Sequence, residues 1–355
     1  MNFLKRISSV LITLWGVATI VFLLFSVLPG DPAQMMLGQN ANSEELILIQ
    51  QKFGFDQPVF KQYTSYLNDL SPISIHSQTH DFNGLSTNQY SYTSIFNLGE
   101  RVLVLKWPYL RESFQKSGVQ VSQVIQDTLP NTAILAMAAL LIAICFGILF
   151  GILSAIFVHS PIDRILQLVS TMGMSLPSFF SAILVAWIFG FLLHEYTSLD
   201  MTGSLYVLDD LGESYHIAWK NLVLPAFVLG IRPLAVVTQL MRNALLDEWN
   251  RAYVKTARAK GLSMSVIIWK HMLKNALNPV ITALSGWFAS MLAGAVFVEY
   301  IFGWNGIGKE IVNALNVLDV PVLMGSVLTV SFLFIMINQV VDLLYAYLDP
   351  KVQLN

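Results

Sequence analysis

The chain has one cysteine, few charged residues and no cluster of metal-ligating side chains, and each scarcity removes a class of protein. Cys145 stands alone among 355 residues, so no disulfide can form within the chain and a disulfide scaffold is excluded. It sits in an apolar run, where it reads as a small buried hydrophobe. Charged residues make up 12% of the sequence, about half the ~25% usual for a soluble domain. The six histidines are scattered and give no metal-ligand spacing. His194-Glu195 is not followed by a second histidine four residues on, so no zinc-protease helix is present. There is no G-x-S-x-G elbow. Residues Gly303 to Lys309 fill the first seven places of a G-x-x-x-x-G-K-[ST] loop. The eighth residue is Glu310, where a hydroxyl should hold Mg²⁺. The sequence therefore predicts no enzyme, no cofactor and no metal, and nothing in it points to nucleic acid.

What is abundant is apolar surface. Hydrophobic residues make up 55% of the chain and the mean hydropathy is +0.61, which points to an integral membrane protein. Six stretches are long enough to span a bilayer: 7–28, 129–159, 166–193, 217–241, 278–301 and 322–347. The first follows Lys5-Arg6 but is longer than a signal-peptide core and has no A-x-A site, so it reads as an uncleaved span. Pro177 falls inside the third, and Pro225 and Pro233 inside the fourth. Proline is tolerated there when neighbouring helices satisfy the freed carbonyl.

Residues 31–129 differ from the rest. Asn, Gln, Ser, Tyr and charge become frequent, and no apolar run reaches 20 residues. The segment from Ser43 to Gly54 predicts an amphipathic helix capped by Ser43, with Glu44 and Glu45 in its first turn. The polar stretch 76–94 predicts a loop. The chain thus divides into a first span (1–30), an insertion (31–129) and a core of five spans (130–355).

Lys and Arg set the orientation. With six spans, one side of the membrane holds Lys5, Arg6, Arg164, Arg242, Arg251, Lys255, Arg258, Lys260, Lys270, Lys274 and Lys351, while the short links opposite hold only Lys309. Both termini and the segment 247–279 are then cytoplasmic, and the insertion is extracytoplasmic.

That segment is the most basic of the chain, and Gly261-Leu262-Ser263 divides it into two short helical halves. Ala252, Thr256, Ala257 and Ala259 are small enough for another surface to approach closely, Gly261 permits a special backbone turn, and Pro279 marks the start of span five. Composition alone leaves two readings open: a rigid element pushed by a partner, or a basic loop on anionic lipid. Charges inside the spans are few. Arg232 lies mid-span, Glu299 near the outer end of span five and Asp342 near the inner end of span six, with no Asp/Glu/His relay. Arg232 could line a pathway or be tied to a neighbouring helix or loop carbonyl.

Several motifs in order now carry a resemblance. Tyr253-Val254-Lys255-Thr256-Ala257-Arg258-Ala259-Lys260-Gly261-Leu262, followed by Lys274-Asn275-Ala276-Leu277-x-Pro279, resembles the EAA loop of binding-protein-dependent ABC transporter permeases of the peptide/nickel type, with Lys255-Thr256-Ala257 where other importers have Glu-Ala-Ala. Leu28-Pro29-Gly30-Asp31-Pro32, Phe55-Asp56-Gln57-Pro58 with Tyr63 and Leu67, and Thr128-Leu129-Pro130-Asn131-Thr132 resemble the family's early motifs. Glu299-Tyr300-Ile301-Phe302-Gly303-Trp304-Asn305-Gly306-Ile307-Gly308 is similar to E-x-x-F-x-x-P-G-x-G, with Asn305 in place of proline. Asn338, Asp342, Tyr345 and Asp349-Pro350-Lys351 resemble its C-terminal signature. Residues 71–119 depart from the pattern and read as an expanded extracytoplasmic loop.

The resemblance implies an all-α, six-span permease of the type I ABC importer fold in the bacterial cytoplasmic membrane. It implies partners: a second permease, two cytoplasmic ATP-binding subunits, an extracytoplasmic solute-binding protein and the surrounding lipid. The solute class it implies is di- or oligopeptides. By the same resemblance Tyr253, Thr256, Ala257, Ala259, Lys260, Gly261 and Leu262 form the coupling contact with the ATPase, and Arg232 and Glu299 are candidates for the translocation pathway. The alternative is an ion-coupled carrier that works without an ATPase.

Overall fold

A computed structural model describes residues 3–26, 32–37, 42–77, 84–85, 90–209 and 212–348. The Leu28 to Asp31 motif, most of the loop 78–89, and Asp349-Pro350-Lys351 lie outside the described residues, as do the side chains of Lys5, Arg6, Asp342 and Tyr345.

In chain order the elements are α1 (Phe3–Ser26), α2 (Pro32–Leu37), α3 (Ser43–Phe53), α4 (Val59–Leu70), β1 (Ile73–Ser77), β2 (Tyr92–Leu98), β3 (Arg101–Lys106) and α5 (Val121–Ile156). Then come α6 (Pro161–Ser175), α7 (Ser178–Trp187), α8 (His194–Thr197), β4 (Tyr206–Leu208), β5 (Tyr215–Ile217), α9 (Lys220–Trp249) and α10 (Ala252–Ala259). The chain ends with α11 (Met264–Val266), α12 (Leu273–Gly294), α13 (Val296–Phe302), α14 (Ile307–Asn316) and α15 (Val320–Leu348). It forms two compact units, Met1–Thr128 with Glu310–Phe332, and Leu129–Lys309 with Leu333–Asn355.

The first unit corrects the all-α expectation. Residues 73–77 and 92–106 form an antiparallel sheet in the order β1-β3-β2, with Ile75 opposite Leu103 and Ser74 opposite Val104. The pattern Arg101-Val102-Leu103-Val104-Leu105-Lys106 turns Val102, Val104 and Lys106 to the buried face, as a period of two requires. Asp69 organises that face. It accepts from Tyr90 Oη at 2.8 Å and Arg111 Nε at 3.0 Å, and its backbone carbonyl accepts from Lys106 Nζ at 2.7 Å. Burial lowers Lys106 to about 8 and pushes the hydroxyls of Tyr66, Tyr90 and Tyr109 upward. Asp319, just before α15, accepts from Ser113 Oγ and from the amide of Phe114 at 3.0 Å. Ser43 is not the cap of α3: Asn42 holds that position, without a side-chain cap bond, and Gly54 closes the helix with φ 70°.

In the second unit glycines bring helices together. A Cβ on Gly147 would lie 2.7 Å from Val237 Cγ1, and one on Gly151 2.5 Å from Met241 Cβ, so α5 and α9 meet at distances only glycine allows. Two apolar clusters fill the unit. Leu135, Ala139, Leu224, Val228, Phe302 and Trp304 belong to one, and Ile152, Met241, Leu245, Val254, Ile267 and Met272 to the other. Pro225 and Pro233 lie inside a continuous α9. Pro177 behaves differently. Leu176 is extended (ψ 135°), as the residue before a proline prefers, and α6 and the helix from Ser178 to Leu192 meet at 113°. The apolar stretch expected as the third span is therefore broken into two helices at Pro177. Pro279 also departs from expectation: it lies inside α12 rather than at a boundary, and helix runs from Met264 through a π-helical turn at Ile267–Met272 into α12.

Four helices among the described residues are long and apolar enough to cross a membrane, or up to six spans if each bent pair counts as one. Leu11, Ile12, Trp15, Ile20, Leu23 and Leu24 of α1 are each more than half exposed. A face this apolar needs lipid or protein against it. Cys145 is exposed on α5 rather than buried.

Candidate functional site

Residues 247–279 fold as α9's last turn, the short α10, a glycine turn and the start of the helix at Met264. Ala252, Ala257 and Ala259 favour helix in α10, and Gly261 ends it. The amide of Leu262 donates to Ala257 O (3.3 Å) and that of Gly261 to Arg258 O (2.9 Å), with Gly261 at φ 76°. This paired 6→1 and 5→2 closure needs a left-handed residue at Gly261. Nothing lies within 4 Å of where a Gly261 Cβ would stand, so backbone conformation selects the glycine and crowding does not.

The helical period splits the expected contact residues. Tyr253, Thr256, Ala259, Lys260, Gly261 and Leu262 are exposed. Ala257 is not: it is 7% exposed and packs with Val254, Ile267, Ile268 and Met272. Its small side chain serves the approach of α10 to the helix behind it, so it is placed differently from the other residues expected at the contact. Tyr253 Oη donates to Glu248 and accepts from Asn275 Nδ2 at 3.3 Å. Arg258 stacks 4.7 Å over the Trp249 ring. Both bonds tie α10 to its neighbours, so α10 is a braced element with one solvent face.

The two intramembrane candidates part company. Arg232 is exposed on α9, and its Nη2 donates to Leu176 O at 3.2 Å, at the carbonyl beside the Pro177 break. Beside it lies a cavity of about 380 Å³ lined by Leu176, Ser178, Ser181, Arg232, Trp287 and Phe297, among others. Glu299 has 0% exposure and is not among the residues lining that cavity. Its Oε2 accepts from the amides of Gly308 (2.7 Å) and Lys309 (3.2 Å) at the start of α14. A carboxylate there satisfies amides that the helix leaves unpaired.

Around Glu299 two sequence motifs lock together, which their order in the chain did not reveal. Trp304 Nε1 donates to Asn131 O at 3.0 Å, Asn131 Nδ2 to Asn305 O at 2.8 Å, and the amide of Ile307 to Thr132 Oγ1 at 2.9 Å. A Cβ on Gly306 would collide with the Glu299 carboxylate, and one on Gly308 would lie 2.5 Å from Val296 Cα. Asn305 takes an active part where proline was expected: its Oδ1 accepts from Lys309 Nζ at 2.8 Å. The Walker-like run 303–309 is thus an internal structural turn whose lysine is spent on Asn305 and Gly303.

Long apolar helices, with a braced polar helix between α9 and α12, fit a protein that crosses a membrane. The solved structure titled "Inward facing conformations of the MetNI methionine ABC transporter" resembles this chain with a TM-score of 0.50 at 14% identity, covering 64% of this chain and 97% of that one. The likeness gives the fold, that of a type I ABC importer permease. Residues 147–354 match the family described as binding-protein-dependent transport system inner membrane component, and residues 1–87 match the N-terminal part described for such membrane components. The chain belongs to this family of inner membrane components. Among its relatives, the dipeptide transport system permease protein DppB of Alkalihalophilus pseudofirmus is 30% identical over 99% of this chain and 98% of its own. The di/tripeptide transport system permease protein DppB of Pseudomonas aeruginosa is 32% identical over 98% and 97%. The glutathione transport system permease protein GsiC of Salmonella choleraesuis is 31% identical over 99% and 98%.

Proposed function

We propose that this chain is one of two permease subunits of an ATP-driven importer of di- or oligopeptides in the bacterial cytoplasmic membrane. The observation that carries the reading is end-to-end similarity to peptide permeases, with dipeptide, di/tripeptide and glutathione systems among them. Relatives named for peptides of two and three residues favour short peptides. An ion-coupled carrier acting alone does not fit a family defined by a separate binding protein.

In this reading each bent pair is one span, giving six. The distribution of Lys and Arg places both termini and α10 in the cytoplasm, and the insertion with its three-stranded sheet outside, where a binding protein delivers the solute. The exposed residues Tyr253, Thr256, Ala259, Lys260, Gly261 and Leu262 meet an ATPase subunit, and Ala257 supports them from behind. Arg232 and the serines at the Pro177 break face the pathway, where the guanidinium can take a peptide carboxylate. Glu299 holds the outer end of span five and touches no solute. Alternating access then follows from rigid-body movement of the helices about that central break.

A strain auxotrophic for one amino acid tests the substrate. Deleting this chain should abolish growth on a dipeptide that supplies the amino acid and leave growth on the free amino acid unchanged. Equal growth on both sources would refute the peptide assignment.

A further inference from the structure

Asp163 is 4% exposed and gathers three elements on one carboxylate. Ser154 Oγ, from the end of α5, donates to its Oδ1. The amide of His159, in the turn before α6, donates to Oδ2 at 2.9 Å. Arg242 of α9 closes a bidentate pair, Nε to Oδ1 and Nη2 to Oδ2, both at 2.9 Å. Ser160 caps α6 by accepting from the amide of Asp163. A planar fork on a buried carboxylate is a strong and directional tie between helices.

The other end of α6 packs closely on the same helix but has a weaker polar tie to it. There the tie is the single exposed bond from Arg232 Nη2 to Leu176 O at 3.2 Å. Gly173 beside it lies so close to Ile231 that a Cβ would come within 2.7 Å of Cγ2. Arg232 and Arg242 are ten residues apart on α9, about 15 Å along its axis. Thus α6 runs antiparallel to α9, with a buried bidentate ion pair near the α10 end and one exposed, exchangeable hydrogen bond at the Pro177 bend. From Arg242, α9 continues without a break to Trp249; Asn250 and the extended Arg251 then join it to α10, which is braced back on α9 by Tyr253 on Glu248 and by Arg258 over Trp249.

We propose that the Asp163–Arg242 pair is the positioning fulcrum that converts displacement of α10 into a swing of α6, so that the cavity at the Pro177 bend changes shape when the ATPase moves. The inference rests on reading α10 as the coupling helix. The asymmetry carries it: a rigid tie at both ends would move α6 as a passenger, whereas one rigid and one exchangeable tie lets it pivot. Leu176 O can release Arg232 during the swing, which frees the guanidinium at the same moment that the cavity opens.

The test uses the assembled transporter with its second permease, ATPases and binding protein in proteoliposomes, measuring labelled dipeptide taken up per ATP hydrolysed. Asp163→Asn keeps the shape and removes the charge. Arg242→Lys keeps the charge and removes the fork, and it carries the measurement if Asp163→Asn does not assemble. Either variant should lower uptake per ATP roughly tenfold while hydrolysis continues, and the exchanged pair Asp163→Arg with Arg242→Asp should recover part of the loss. An unchanged ratio in complexes of normal yield overturns the fulcrum, even if both rates fall together. Gly261→Pro separates this failure from failure of the underlying reading. If it uncouples while the Asp163 and Arg242 variants do not, only the fulcrum is wrong; if it leaves uptake normal, α10 is not the coupling helix.

Discussion

Gly261 is selected by its backbone alone, and that makes its substitutions sortable. Open space surrounds the missing Cβ, so cost follows tolerance of positive φ. Asn is the side chain that best accepts the left-handed region, and Gly261→Asn should keep most uptake. Gly261→Val should cost about 1–2 kcal/mol in the turn and impair coupling. Equal uptake in the two variants would show that the turn conformation is irrelevant. At Glu299, replacement by Ala strands the amides of Gly308 and Lys309, a loss of about 2–4 kcal/mol. The detergent-solubilised protein should melt lower, while a side chain merely lining a path would leave melting unchanged. Lys106 yields a pH dependence. Burial lowers it to about 8, against roughly 10.4 in an unfolded chain. Between those values the unfolded chain binds more protons, so stability rises with pH. Burial pushes Tyr66, Tyr90 and Tyr109 up, so above about 10 the folded chain holds more protons and stability falls. Hydrogen exchange of β3 amides, corrected for intrinsic rate, should show protection increasing from pH 8 to about 10 and then declining; a flat profile would contradict the buried amine. Residue type and spacing pointed to Gly261 and the exposed face of α10, but not to the inward turn of Ala257, because helical phase is fixed only when α10 packs on Ile267 and Met272. Glu299 was visible as an acid in an apolar stretch, yet its amide partners, Gly308 and Lys309, lie nine and ten residues on, which no spacing rule announces.

At the scale of elements, glycine contacts and proline breaks set the helix geometry. A β-branched side chain at Gly151 would push against Met241 Cβ and prise α5 from α9, costing about 1–3 kcal/mol. Gly151→Val should therefore lower the melting temperature, whereas Gly286→Val should not for the same reason, since nothing lies within 4 Å of a Cβ there. The long apolar runs made the straight helices plain. Pro177 and Pro233 look alike in sequence, and only the extended Leu176 distinguishes a break from a tolerated proline. The sheet of the insertion was hidden for a different reason. Its strands are short, and β1 alternates the wrong way round for a sequence reading, with Ile73 and Ile75 exposed and Ser74 and His76 buried, while Lys106 ends the buried face of β3 beside Asp69 and Tyr90.

For the whole molecule, the order of motifs carried the family, because no single short motif could. The basic segment was ambiguous between lipid contact and partner contact by charge. Its solvent-facing, braced helix between two apolar helices favours a partner that pushes. The exposed apolar face of α1 needs lipid or protein against it. Solute choice is the property least visible in this chain, since the contact proposed for a peptide is one guanidinium and a few hydroxyls. The most direct measurement is dipeptide uptake into proteoliposomes containing this chain and its second permease, with and without the ATPase subunits, at fixed ion gradients and saturating binding protein. Uptake should require the ATPase and ATP and be indifferent to the gradients. Uptake by the permeases alone, driven by a proton or sodium gradient, would contradict it.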